Sequence, residues 1–469
     1  MLLTSVVVYL IVTVLIGLWA SGKVSSSGDF MLAGRSLPIV LSTSALFATW
    51  FGSETVFGAS SQFLEGGLFA VIEDPFGASL CLLLFGLFFA RKLYNMNLVT
   101  LGDYFKVRYG KRTEIIASAF MIPAYFGYIA AQLVALGLIL NVVADIPVVN
   151  AIVISSVIVT LYTFIGGMWA ISVTDFIQSI IIIIGLGVLA FMLAEKAGGA
   201  SLVLQSIPSK DLKFFPDFNG TAIVTWLAAW SVLGLGSIPS QDVFQRTMSS
   251  GSAKIAVRSC YYAAIMYLTI AMLPLFISLC VKQLYSGELG LDTQLTLPNM
   301  VLQHTSVPVQ VLFFGSLLSA VMSTTSSAIL APASLFSENV IKPLMRKKPT
   351  DKQLLMITRL SVVFFSIAAT VMACLNSNIY ELVGVSSILS LVSLFVPMVF
   401  GMYWKRSSSA GAVVAMITGM AAWFWFERYP LSVPALVPAT LISMIAFLMG
   451  SYWLPDRKAY GKNRTQTIE

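Results

Sequence analysis

Ser323, Thr324, Ser326 and Ser327 place four hydroxyls inside an otherwise apolar run. They belong to Ser319-Ala320-Val321-Met322-Ser323-Thr324-Thr325-Ser326-Ser327, which follows apolar residues from Val307 to Leu318 and leads into a helical run ending near Lys342. On a helix, Ala320, Ser323, Thr324 and Ser327 fall at i, i+3, i+4 and i+7 and line one face, with Ser326 at its edge. A ladder of hydroxyls beside exposed carbonyls suits a small hard cation, which takes oxygen ligands. In a membrane, such a site would make the chain a cation-coupled carrier. The alternative is that these hydroxyls bond back to their own helix or pack against a neighbour.

A second group of residues marks where a helix would come apart. Ser42-Thr43-Ser44-Ala45-Leu46-Phe47-Ala48-Thr49-Trp50-Phe51-Gly52-Ser53-Glu54 is rich in small and polar residues in mid-span. Gly234-Leu235-Gly236-Ser237-Ile238-Pro239-Ser240-Gln241-Asp242 carries Gly and Pro, which weaken a helix and free backbone carbonyls. Counted along the chain, these are the second and seventh spans. Interrupted spans at matching places in two five-helix halves of opposite topology point to an inverted repeat with a binding site between them. The other reading is that the glycines only permit close helix packing.

The elements that must position these residues are membrane helices. The 469-residue chain is 58% hydrophobic and 10% charged, against about 25% charge in soluble domains. Apolar runs of about 20 residues cross a bilayer, and the expected fold is an all-α polytopic membrane protein of about thirteen such spans. They fall near 3–22, 36–64, 67–91, 113–142, 148–167, 170–195, 222–248, 255–283, 308–342, 354–376, 380–404, 409–426 and 433–454. The first begins almost at Met1 with no basic flank or small-residue cleavage site, and is expected to stay as a span. The implied divisions are 1–35, a leading helix and loop; 36–195 and 196–406, the two repeats; 407–454, two trailing helices; and 455–469, a cytoplasmic tail.

With the N-terminus outside, most of the 28 Lys and Arg face the cytoplasm, Arg246 and the tail residues Arg457, Lys458, Lys462 and Arg464 among them. Only Lys196, Lys210, Lys213, Lys282 and Arg428 face out. That bias predicts an N-out, C-in protein of the plasma (inner) membrane. The net charge of +7 is not a nucleic-acid footprint, because the basic residues form short clusters between apolar runs. Four scattered cysteines, no CxxC and a single histidine, His304, argue against zinc, thiol redox or haem chemistry. No nucleophile elbow or His-based acid/base pair suggests an enzyme.

The motifs, taken in order, resemble the sodium/solute symporter family, most closely its choline- and proline-type carriers. They are Asp29-Phe30-Met31-Leu32-Ala33-Gly34-Arg35-Ser36-Leu37-Pro38, Thr100-Leu101-Gly102-Asp103-Tyr104-Phe105, Gly166-Gly167 with Thr174-Asp175-Phe176-Ile177-Gln178, Phe244-Gln245-Arg246, the hydroxyl stretch, and Trp404-Lys405-Arg406. The resemblance implies a LeuT-like 5+5 inverted-repeat core whose first and sixth helices are broken. It also implies a shared sodium site of Ala48, Phe51 and Ala320 carbonyls with the Ser323 and Thr324 hydroxyls. Some members hold a second sodium ion at positions similar to Asp175, Ser323, Ser326 and Ser327.

The substrate is expected beside the breaks, near Trp50, Glu54, Asp74, Tyr128, Ser240, Gln241 and Asp242. Sugar-carrying relatives have a carboxylate similar in position to Asp74. Choline-carrying relatives have an aromatic cage that resembles Trp50 and Tyr128, but its third Trp aligns with Ser240. Intramembrane acids without a basic neighbour favour a cationic partner, and ring faces attract cations. The expected cargo is therefore a small amine, organic cation or zwitterion. A sugar or monocarboxylate carrier, or a membrane sensor, is the alternative. Neither nucleic acid nor an obligate protein partner is implied, and the remaining partner is the lipid bilayer.

Overall fold

The computed structural model describes residues 2–284, 293–375 and 378–456. Arg457, Lys458, Lys462, Arg464 and most of the expected tail lie outside the described residues. Among those described, the chain is nearly all helical, and the one β-bridge joins Leu37 to Ser250. This follows from the composition, because a backbone in lipid must satisfy its polar groups within its own segment. Helix starts are fixed by side chains that accept orphan N–H groups, as in the capping boxes Ser26/Asp29 and Thr100/Asp103.

Among the described residues, nine helices are long and apolar enough to span a membrane, and a bent pair, Gly220–Gly236 with Gln241–Met248, makes a tenth. Three features account for the difference from the thirteen expected. Leu2–Ser21 supplies the leading helix. Ile39–Phe47 and Ala59–Ala70 are the two arms of the first core span, separated by its break. Val148–Lys196 runs as one 49-residue element but is interrupted at Gly167 (φ 53°, ψ −157°), so it carries two spans. Gly167 has to be glycine: a Cβ there would fall 2.6 Å from the Phe30 carbonyl oxygen.

Both expected breaks are present, and a third irregularity accompanies them. The first core helix leaves α geometry after Phe47 and resumes at Glu54. The sixth bends by 46° across Ser237–Ser240, where Pro239 has no N–H to offer the helix. In the second core helix, Asp74 is extended (φ −138°, ψ 123°) ahead of Pro75. A residue preceding proline is pushed out of helical geometry, a signal present in the sequence and not read there.

The basic clusters gather at one end of the bundle. Arg35 donates to Asn97 and to the Leu98 carbonyl, Arg108 to the Gly401 and Ser407 carbonyls, and Lys111 to the Pro343 carbonyl. Lys282 pairs with Asp211 at the other end. Arg246 departs from the expectation. It is 1% exposed within the short helix Gln241–Met248 and pairs with Asp175, not with solvent. Counting charges near a helix end cannot tell a loop residue from a buried counter-ion.

Candidate functional site

The hydroxyl face of Val307–Leu335 is fully buried and meets the first break. Thr324 Oγ1 lies 3.1 Å from the Ala48 carbonyl and 3.1 Å from the Ala320 carbonyl, so three oxygens converge there. The approach depends on Gly52, where a Cβ would sit 2.7 Å from both Thr324 Oγ1 and Gln132 Oε1. Phe51 is buried within the same break. Ser323 turns the other way and donates to Asp175 Oδ1 at 2.5 Å, while Asp175 Oδ2 faces Arg246 at 3.3 Å. Ser326 and Ser327 donate back to the Ser323 and Thr324 carbonyls of their own helix. Of the residues expected around a second ion, the structure joins Asp175 and Ser323 alone.

The break itself is stitched by Tyr128 and Gln132 of the helix Lys111–Ala144 and by Thr55 on its own far side. Tyr128 donates to the Thr49 carbonyl at 2.6 Å and also reaches Glu54 Oε1 at 3.3 Å. Thr55 donates to the Trp50 carbonyl at 3.2 Å. Gln132 accepts from the Ser53 N–H through Oε1 and donates to Glu54 Oε2 through Nε2. Each Glu54 oxygen therefore has a polar neighbour, and among the described residues no cationic side chain is paired with it.

A small cavity of about 40 Å³ lies between the two breaks. Its walls include Trp50, Tyr125, Tyr128, Ser240 and Asp242. Ser386, Ser387 and Ser390 complete it from Ile379–Ser390. Sequence reading placed Trp50, Tyr128, Ser240 and Asp242 here. It also placed Glu54, Asp74 and Gln241 here, but these do not line the cavity. Gln241 Oε1 accepts from the Leu101 N–H at 2.7 Å, toward the basic end of the bundle. Asp74 accepts from the Tyr267 hydroxyl. Tyr125 went unread although it stands one helical turn from Tyr128. Its hydroxyl accepts the N–H groups of Gln241 and Asp242 and donates to Asp242 Oδ1 at 3.0 Å, capping the helix after the second break. The cavity is far below the few hundred Å³ of a ligand pocket, so this conformation has no room there for a solute.

Two interrupted helices crossing in mid-bundle, with carbonyls and hydroxyls converging at one and a carboxylate among aromatic rings at the other, define a secondary carrier and not an enzyme. The chain belongs to the sodium:solute symporter family, whose model matches residues 30–419. It is 30% identical over 450 residues to the high affinity choline transporter 1 of Homo sapiens, covering 89% of this chain and 75% of that one. It is 27% identical over 470 residues to the osmoregulated proline transporter OpuE of Bacillus subtilis (strain 168), covering 96% and 94%. The fold is similar to that of a substrate-bound, outward-open Na+-coupled sialic acid symporter, with a TM-score of 0.84, 21% identity and coverage of 96% and 97%. The protein is thus an integral membrane transporter of a small solute that uses sodium, with the inverted-repeat fold.

Proposed function

We propose that this carrier imports a small amine, organic cation or zwitterion together with sodium, by alternating access. The observation that carries the substrate class is the cavity wall. The Asp242 carboxylate stands among the rings of Trp50, Tyr125 and Tyr128, and no Lys or Arg lines the space. An anionic solute would meet a like charge and no clamp, whereas a cation gains the carboxylate and the ring faces. The choline and proline transporters among the relatives carry names consistent with a quaternary amine or a zwitterion. Glu54, Asp74 and Gln241 would then act from behind the wall.

Sodium binds at Ala48, Phe51, Ala320, Ser323 and Thr324 in this reading. Five neutral oxygens fit a monovalent ion, and the contact of Thr324 with two of the three carbonyls supports the placement. Ordering the break around sodium positions Trp50 at the cavity, so each ligand raises the affinity for the other. A second ion at Asp175, Ser323, Ser326 and Ser327 would have to displace the Arg246 guanidinium. The repeats are taken as 36–195 and 196–406, with 407–454 trailing. The clustering of basic side chains at the end where Arg35, Arg108 and Lys111 lie favours that end as cytoplasmic, with the N-terminus outside.

The test is a thermal-shift screen of organic cations, amino acids and sugars, each in sodium and in potassium. A ligand that stabilises only in sodium should be an amine or zwitterion. A sugar or a monocarboxylate giving the sodium-specific shift would overturn the assignment.

A further inference from the structure

Asp74 is a buried acid that lines neither the cavity nor the sodium site. It is 0% exposed, and its Oδ2 has no hydrogen-bond partner. Its Oδ1 accepts from the Tyr267 hydroxyl at 2.6 Å. Three other buried acids have a basic partner: Asp175 faces Arg246, Glu114 faces Lys106 and Glu338 faces Lys342. Around Asp74 the facing titratable groups are Glu54 from the segment after the first break, Glu73 beside it, Tyr267 from Ala253–Leu284 and Tyr380 from Ile379–Ser390. None of these is basic. A carboxylate with an orphan oxygen and only acids and phenols near it is a poor resident of a dry interior. A neutral acid there leaves one unpaired carbonyl oxygen, a far smaller penalty.

The geometry also says where the proton would act. Tyr267 lies 2.6 Å from the Thr55 hydroxyl and 3.3 Å from the Trp50 carbonyl. With Asp74 ionised, the single Tyr267 proton points at Oδ1, and the Thr55 proton is shared between the Tyr267 oxygen and the Trp50 carbonyl. With a proton on Oδ1, Asp74 becomes the donor, and Tyr267 is free to turn its own proton to the Trp50 carbonyl. The proton count balances: one proton is added at Oδ1 and the others are only re-aimed.

We propose that Asp74 is a proton-binding site of this carrier, joined through Tyr267 to the first helix break and emptied when sodium arrives there. Sodium at the break favours the ionised Asp74 carboxylate over the neutral acid, so sodium and the proton compete. By linkage the effect is reciprocal: a lower pH weakens sodium binding, and sodium expels the proton. The site is separate from the cavity, since Asp74 does not line it. The competition rests on the sodium reading above; the proton on Asp74 does not.

The experiment uses the full purified chain in two readouts. Infrared spectroscopy in potassium chloride should show the carbonyl stretch of a protonated carboxylic acid, shifted in D2O. That band should vanish in Asp74→Asn and persist in Glu73→Gln. A wild-type spectrum without the band, or a band that survives in Asp74→Asn, overturns the proposal. If Asp74→Asn does not fold, Tyr267→Phe replaces it: removing the hydroxyl should shift the band, and an unmoved band counts against Asp74. In lightly buffered solution with a pH dye, sodium chloride but not potassium chloride should release protons from wild type, and this release should be lost in Asp74→Asn. Tryptophan fluorescence in the same cuvette reports sodium binding. Sodium binding without proton release overturns the competition, whereas no sodium response means that the sodium site has failed, and the infrared band then decides Asp74 by itself.

Discussion

At the first helix break, three consecutive carbonyls, Ala48, Thr49 and Trp50, each receive a side-chain hydroxyl, from Thr324, Tyr128 and Thr55. At the second, the helix that resumes at Gln241 presents its first N–H donors, and Tyr125 accepts two of them. The first break is therefore a field of acceptors and the second a capped helix start carrying the Asp242 carboxylate. Oxygen acceptors without a carboxylate suit a monovalent metal ion. A carboxylate flanked by rings suits a larger cationic solute. The same device, an interrupted helix, serves different ligands because different side chains close it.

The two regions are tied together by Ser323, Asp175 and Arg246, and cutting that tie should have the largest effect. Arg246→Met leaves Asp175 buried without its counter-ion and should cost about 3–5 kcal/mol of stability. The midpoint of thermal unfolding in detergent reports it, and the double variant with Asp175→Asn should regain most of the loss. Next comes the solute side of the comparison. Asp242→Asn should weaken a cationic ligand by about 2–5 kcal/mol, measured by ligand titration, while the sodium response of the apoprotein stays near wild type. Equal damage to both would mean that the two breaks are not functionally distinct.

The sodium side is expected to respond more gently. Gly52→Ala pushes a methyl against Thr324 and Gln132 and should cost about 1–3 kcal/mol, seen as a lower thermal midpoint with a reduced sodium shift. The smallest change is expected at the closure of the basic end. Gln241→Ala removes the bond to the Leu101 N–H and should contribute a loss of about 0.5–1.5 kcal/mol. Labelling of a cysteine placed near Leu101 should become faster, which would make the second break the mobile one.

Much of this contrast can be read from residue order alone. Small and polar residues from Ser42 to Glu54, and Gly236 with Pro239, mark both breaks because they lower helix propensity where a span should be continuous. Ser323 and Thr324 stand out by period. What stayed hidden depends on pairing across the chain. Nothing near Arg246 in sequence says that its partner is Asp175, and nothing near Asp74 names Tyr267. The serines of Ile379–Ser390 look like ordinary helix-packing residues until the fold sets them opposite Trp50. Gln241 sits in a broken span and was assigned to the solute, but its side chain reaches Leu101, because a helix start projects side chains to both sides of the break.

The most direct test is sodium-dependent thermal stabilisation and uptake in proteoliposomes for Ser323→Ala, Thr324→Ala and the double variant. Loss of the Thr324 hydroxyl should weaken sodium by about 1–3 kcal/mol, and the double variant should show no difference between sodium and potassium. A double variant that keeps the wild-type sodium response would contradict the placement of the ion between the first break and the hydroxyl face.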